Sequence, residues 1–149
     1  MIAIGSDHGG FALKESMKRH LDAKGAPYRD FGAYSAESCD YPRIADVVCA
    51  AVVSGECEMA LLFCGTGIGI SIAANKIRGI RAAACSDSFS ARYARLHNDA
   101  NALCLGGRVV GEGLAAELVD IFISARPEGG RHAKRVALIT ELENQIRGE

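Results

Sequence analysis

The run "MALLFC", residues 59–64, is apolar at every position. A strand with one wet face alternates polar and apolar side chains. A run with no polar residue belongs in a sheet covered on both sides, and helices are the usual cover for a parallel sheet. The rest of the chain supplies partners and cover. "MIAIG", "PYRDFG", "IRAAACS" and "NALCLGG" read as further short strands. Longer amphipathic stretches lie between them. "FALKESMKRHLDAKG" spaces Phe11, Leu13, Met17 and Leu21 near the helical period and stops on Gly25. "YPRIADVVCAAVVSG" carries Pro42 in its first turn, where a missing N–H costs nothing. "TGIGISIAANK", "DSFSARYARLHN" with Asp87 as a cap, and "GLAAELVDIFISA" follow as helices. "RHAKRVALITELENQIRG" adds a last one after a Gly-Gly break. The pattern predicts an α/β fold: a Rossmann-like three-layer α/β/α sandwich with a five-stranded parallel sheet and an extra C-terminal helix. Residues 1–149 are expected to form one domain, without internal repeat or linker.

Composition excludes several functions. The formal net charge is −1 and tryptophan is absent, which argues against a nucleic-acid binder or a membrane-surface binder. No apolar run reaches the roughly 18 residues of a membrane span, and the N-terminus has no basic stretch leading into a long apolar one. The six cysteines form no CxxC pair, and most sit in apolar runs. Five of them read as small buried hydrophobes in a reduced compartment, so a cytoplasmic location is expected. Neither metal-ligand spacing nor a cofactor fingerprint is present, and no metal or cofactor is expected.

In doubly wound sheets, reactive groups collect on loops after the C-terminal strand ends. Here those loops are "SDHGG", "FGAYSAESCDYP", "CGTGIG", "SDSFS" and "GGRVVG". The third is the most unusual. Gly65, Gly67 and Gly69 alternate with Thr66 and Ile68, directly after Cys64. The spacing is GxGxG, and Ile70 stands where the dinucleotide fingerprint needs its third glycine. The Walker lysine is missing. Ala73 stands where a nucleophile elbow around Ser71 would need glycine. What remains is a nest of backbone N–H groups at a strand-to-helix turn, with a thiol at its edge and the Thr66 hydroxyl beside it. A thiol ionises more readily in such a field and can then act as base or nucleophile. The bland alternative, a structural cysteine before a tight turn, is the weaker reading in this setting.

Other polar groups are less specific alone. Asp7 and His8 precede Gly9-Gly10 and could be a solvated loop pair. His97 and Asn98 close the fourth helix, where a histidine often serves the helix terminus. Arg131 and Arg135 share one helix face and repel each other near a helix start, a cost that a bound anion would offset. A solvated basic face with Lys134 is the plainer reading. Arg108 sits on a strand-end loop.

Taken together, "SDHGG", "CGTGIGISIAANK", "RLHNDANALCLGGRVVG" and "EGGRHAKRV" resemble the sugar-phosphate isomerase family that includes ribose-5-phosphate isomerase B and the galactose-6-phosphate and allose-6-phosphate isomerases. The resemblance runs almost end to end. It implies that Cys64 is the base of an aldose–ketose isomerisation, that His97 opens the sugar ring, and that residues 65–69, Gly65, Thr66, Gly67, Ile68 and Gly69, hold the enediolate. Asp7, His8 and Asn98 match positions that contact sugar or phosphate. Arg108, Arg131 and Arg135 match phosphate-binding positions. The resemblance further implies a homodimer, or a homotetramer, whose sites are shared, with His97, Asn98 and Arg108 arriving from the neighbouring chain. Ile70 replaces the glutamate of a branch that lacks the cysteine. The implied reaction interconverts ribose 5-phosphate and ribulose 5-phosphate in the pentose phosphate pathway. It needs a base, a ring-opening group, an oxyanion stabiliser and a phosphate anchor. A six-carbon sugar phosphate as substrate, or a phosphosugar-binding domain without catalysis, are the alternatives.

Overall fold

The structure, a computed structural model, describes residues 1–146. Its order is β1 (Ile2–Ser6), α1 (Phe11–Ala23), β2 (Tyr28–Asp30), α2 (Tyr41–Val53), β3 (Met59–Cys64), α3 (Ile68–Ala74), β4 (Ala82–Ala84), α4 (Ser88–Asn98), β5 (Ala102–Gly106), α5 (Glu112–Ser124) and α6 (Arg131–Ile146). The sheet is five-stranded, in the order β2-β1-β3-β5-β4, and every pairing is parallel. This is the expected Rossmann-like sandwich. The last two positions of the expected final helix, residues 147–148, lie outside the described residues.

The apolar strands divide their side chains between two cores. Met59, Leu61 and Phe63 of β3 join Ile2 and Ile4 of β1 and Leu103 and Leu105 of β5 on one face, under α1, α4 and α5. Ala60, Leu62 and Cys64 point the other way, with Ala3, Ala102 and Cys104, under α2 and α3. Small residues dominate the second face, so α2 and α3 sit close to the sheet. The run "MALLFC" has no polar residue because neither of its faces meets water.

The strand order follows from handed crossovers. The chain steps outward from β1 to β2, jumps back across β1 to β3, runs on to the edge at β4, and returns to place β5 between β3 and β4. A right-handed connection must change face whenever it changes direction. That puts α1 on one face, α2 and α3 on the other, and α4 back on the first. The chain leaves β1 and β3 in opposite directions. The crevice outside their C-terminal ends is therefore the switch point at which such sheets bind ligands. Among the described residues, no helix is long and apolar enough to cross a membrane.

Expected and observed elements differ at their ends. The strand anticipated over 80–86 shrinks to Ala82–Ala84, an edge strand with one partner. The helix anticipated from Thr66 starts at Ile68, because Gly67 takes a left-handed conformation (φ 78°) that ends the turn before the helix begins.

Candidate active site

Three loops meet at the switch point, and glycines are what let them meet. Gly107 donates its N–H to the Cys64 carbonyl (2.8 Å), and Arg108 donates to the Gly65 carbonyl (3.0 Å). A Cβ on Gly107 would lie 2.5 Å from the Gly9 carbonyl oxygen, and one on Gly10 would lie 2.4 Å from the Phe63 carbonyl carbon. Both approaches are backbone against backbone and exclude any side chain. "SDHGG", "CGTGIG" and "GGRVVG" are thus packed into one platform.

Cys64 is the last residue of β3 and is 4% exposed. The Gly67 N–H donates to its Sγ across 3.1 Å. The left-handed turn at Gly67 aims that N–H back at the sulfur; Thr66 Oγ1 accepts the next N–H, from Ile68, at 3.2 Å. Amide donation stabilises negative charge on sulfur. The other buried thiols are in a different situation. Burial pushes Cys49 up to about 12 and Cys85 up to about 11, and raises Cys104 well above the ordinary thiol value.

Around Cys64 stand the other predicted residues of this edge. Asp7 is buried and accepts the Gly10 N–H at 3.1 Å, which fixes the first loop. His8 is exposed, and its Nδ1 accepts the Cys39 N–H at 3.3 Å. Arg108 is exposed beside the nest, its guanidinium against Gly65. Tyr41 is an addition that sequence reasoning missed. Its ring covers Gly69 so closely that a Cβ there would lie 2.9 Å from the phenol carbon Cζ. The tyrosine stood next to Pro42 at the start of a helix, and nothing local marked it as roofing a loop 28 residues further on.

His97, Asn98, Arg131 and Arg135 are elsewhere. Helix α4 runs back from the C-terminal end of β4 to the N-terminal start of β5, so its last residues lie along the edge formed by the N-terminal strand ends, opposite the edge of C-terminal strand ends that holds Cys64. Asp99 closes the helix in a left-handed conformation (φ 44°). Arg95 grips Asp99 Oδ1 (2.8 Å) and the Ala100 carbonyl (2.6 Å), and Arg81 donates to the carbonyls of Asn98 (3.1 Å) and Asp99 (2.8 Å). The chain then returns after α5, and Glu128 N–H bonds the Leu96 carbonyl at 2.9 Å. Helix α6 docks here through His132, whose ring stacks on His97 with centroids 3.8 Å apart and planes 5° from parallel. Tyr93 also packs against His97, with ring centroids 4.6 Å apart.

The predicted residues therefore form two groups. Asp7, His8, Cys64, Gly65–Gly69 and Arg108 share one edge; His97, Asn98, Arg131 and Arg135 share the other. One expectation needs correction. Arg108 was anticipated to arrive with His97 and Asn98 on one segment of a neighbour, yet it packs against Gly65 of its own chain. Strand β5 separates the two: Asn98 lies before it and Arg108 after it.

Fold and loops define a class: an α/β protein with a thiol and an amide nest at the switch point of a doubly wound sheet. Within that class, the chain belongs to the Ribose/Galactose Isomerase family, whose model matches residues 2–139. It is similar to the ribose-5-phosphate isomerase B of Escherichia coli strain K12, 50% identical over 144 residues, 97% of each chain. Its structure is similar to that of a Clostridium thermocellum ribose-5-phosphate isomerase B, with a TM-score of 0.96 and 52% identity over 97% of this chain and 98% of that one. A Mycoplasma genitalium ribose-5-phosphate isomerase B with bound ribulose-5-phosphate matches with a TM-score of 0.92 and 38% identity, over 97% and 96% of the two chains.

Proposed function

We propose that the chain, acting as one isomerase domain over residues 1–149, interconverts D-ribose 5-phosphate and D-ribulose 5-phosphate without metal or cofactor, in the cytoplasm. The observation that carries the mechanism is the Gly67 N–H donated to Cys64 Sγ beside open amides of the glycine nest. Cys64 takes the C2 proton of the open aldose as a thiolate and returns it to C1, while a proton passes between O1 and O2. Charge on the enediolate oxygens is met by N–H groups of the 65–69 loop other than those already given to Cys64 Sγ and Thr66 Oγ1, with Thr66 at the same turn. His97 opens the furanose: it takes the proton of the anomeric hydroxyl, the C1–O4 bond breaks, and O4 is protonated. Asp7, His8 and Asn98 hold the sugar; Arg108, Arg131 and Arg135 hold the phosphate.

These roles require two chains. Cys64 and His97 stand at opposite edges of one sheet, so a complete site pairs the Cys64 edge of one chain with the His97 edge of another. Apolar side chains exposed near both edges fit that pairing. Ile68 and Ile72 of α3 are 57% and 56% exposed beside the nest, and Leu138, Ile139 and Leu142 line α6 at the far edge. A homodimer with shared sites is the assembly proposed; pairing of two such dimers would give a tetramer.

The test is an initial-rate assay with ribose 5-phosphate, allose 6-phosphate and galactose 6-phosphate. The expected result is kcat/KM highest for ribose 5-phosphate. Absence of turnover on ribose 5-phosphate removes the proposal, and higher kcat/KM for a six-carbon substrate replaces the assignment.

A further inference from the structure

Two residues beside His97 have no part in the reaction as described so far. His132 is buried to 8% exposure, although it lies in the first turn of a helix whose neighbours Arg131 and Arg135 are exposed. A surface helix needs no imidazole to fill its docking face. Here the ring lies flat on His97 at 3.8 Å. Glu128, in the loop before α6, places a single carboxylate oxygen, Oε2, 3.5 Å from Nε2 of His97 and 3.5 Å from Nε2 of His132. The three groups come within 4.8 Å of one another, close enough to consider a cation. The rings are parallel, however, so their in-plane lone pairs run side by side and do not converge on one ion as metal ligation requires. The arrangement suits proton placement. A carboxylate beside an imidazole nitrogen draws the proton to that nitrogen and fixes tautomer and ring orientation.

We infer that His132 is a positioning residue for His97: it holds the ring face-on, and together with Glu128 it fixes the orientation and tautomer in which His97 meets the sugar. This rests on the ring-opening reading of His97. Tyr93 also packs against His97, its ring tilted by 55° at a centroid distance of 4.6 Å. Burial pushes the His132 imidazole below its ordinary value, the positive charge of protonated His97 and of Arg131 adds to that, and Glu128 opposes it. The stacked partner is thus neutral near pH 7, and two cations do not face each other at van der Waals distance. The other charges around the pair are Arg135 on α6 and Asp99 at the end of α4. The Asp99 carboxylate is already engaged by Arg81 and Arg95.

Without His132 the His97 ring loses its stacked face, and without Glu128 it loses the carboxylate oxygen beside its Nε2. At pH 7.5, His132→Ala should lose about tenfold or more in kcat for ribose 5-phosphate. KM should stay within about threefold, and His132→Phe, which preserves the stacked face, should keep part of the activity that His132→Ala loses. Exchange of solvent deuterium into ribulose 5-phosphate, which needs no ring opening, should stay near the unsubstituted rate. His97→Asn, run alongside, tests the underlying reading: equal losses in aldose turnover and ketose exchange there would sink ring opening by His97. The positioning inference is overturned separately. It fails if folded His132→Ala leaves kcat unchanged, or if it loses the exchange reaction as much as the aldose reaction.

Discussion

The Gly67 N–H donates to the sulfur of Cys64 across 3.1 Å, three residues along the same turn. The bond exists because Gly67 holds φ 78°, which turns its amide back toward the end of β3. Burial pushes the thiols of Cys49, Cys85 and Cys104 up. Cys64→Ser retains the shape but is a far weaker base near pH 7. Turnover should fall by roughly 10²-fold or more, with ribose 5-phosphate still bound. Iodoacetamide mapping by mass spectrometry should find Cys64 and the half-buried Cys39 modified, with substrate protecting Cys64. A Cys64→Ser enzyme at near-normal turnover would remove the thiol from the reaction.

The same turn can be tested through its glycine. A Cβ at Gly67 would sit 3.0 Å from the Leu105 carbonyl carbon, and the left-handed φ is unfavourable for alanine by about 1–2 kcal/mol. Gly67→Ala should either unfold the turn or swing the N–H off the sulfur. The expected outcome is a loss of roughly tenfold or more in kcat with about 1–2 kcal/mol lost from stability. A variant that loses stability but keeps kcat would show that the N–H–sulfur contact is structural.

Most of the architecture was legible before the coordinates, for a physical reason. "MALLFC" and "ALCL" lack polar residues, and only a doubly covered sheet accepts that. The loop "CGTGIG" was equally legible, because glycines on alternate positions after an apolar strand have few uses. The weaker signals were tertiary. Tyr41 covers Gly69 from a helix far away in sequence. His132 gains its place only by stacking on His97 from another helix. Arg108 was misplaced because "RLHNDANALCLGGRVVG" reads as one segment, although its two ends lie on opposite edges with β5 between them. Adjacency in a motif says nothing about which edge of a sheet a residue reaches.

Away from the chemistry, Lys14 is fully buried and gives its ammonium to both oxygens of Asp30 (2.9 and 3.0 Å) and to the Ala33 carbonyl (2.6 Å). Asp30 also accepts from Lys18 at 2.8 Å and from the Gly32 N–H at 2.9 Å. Burial alone pushes this carboxyl up, but the three donors outweigh it and hold it below its ordinary value. The linked stability is therefore fully present above the unfolded aspartate value of about 3.9, and is lost as pH falls through the lower folded value. Lys14→Met strips the buried partner while Lys18 remains. The expected cost is about 3 kcal/mol at pH 7, the low end for breaking a buried pair, with a shallower fall in stability below about pH 4. Urea unfolding at both pH values measures it. A cost below about 1 kcal/mol at pH 7 would mean that Lys18 and Gly32 suffice.

The separation of Cys64 from His97 gives the most decisive test of the assembly. In one chain the two residues occupy opposite edges of the sheet, so no single chain completes the proposed site. Cys64→Ser and His97→Asn chains should each be nearly inactive alone. Mixed in equal amounts and allowed to exchange subunits, about half of the dimers are mixed ones under random pairing. Each mixed dimer unites the Cys64 of the His97→Asn chain with the His97 of the Cys64→Ser chain at one site. Its other site carries both substitutions. Activity should therefore recover to about a quarter of the unsubstituted enzyme if sites act independently. Native mass spectrometry verifies the exchange, and the aldose assay reads the recovery. Complete exchange with no recovery would mean that the two edges never meet across an interface, and the shared-site model would fall.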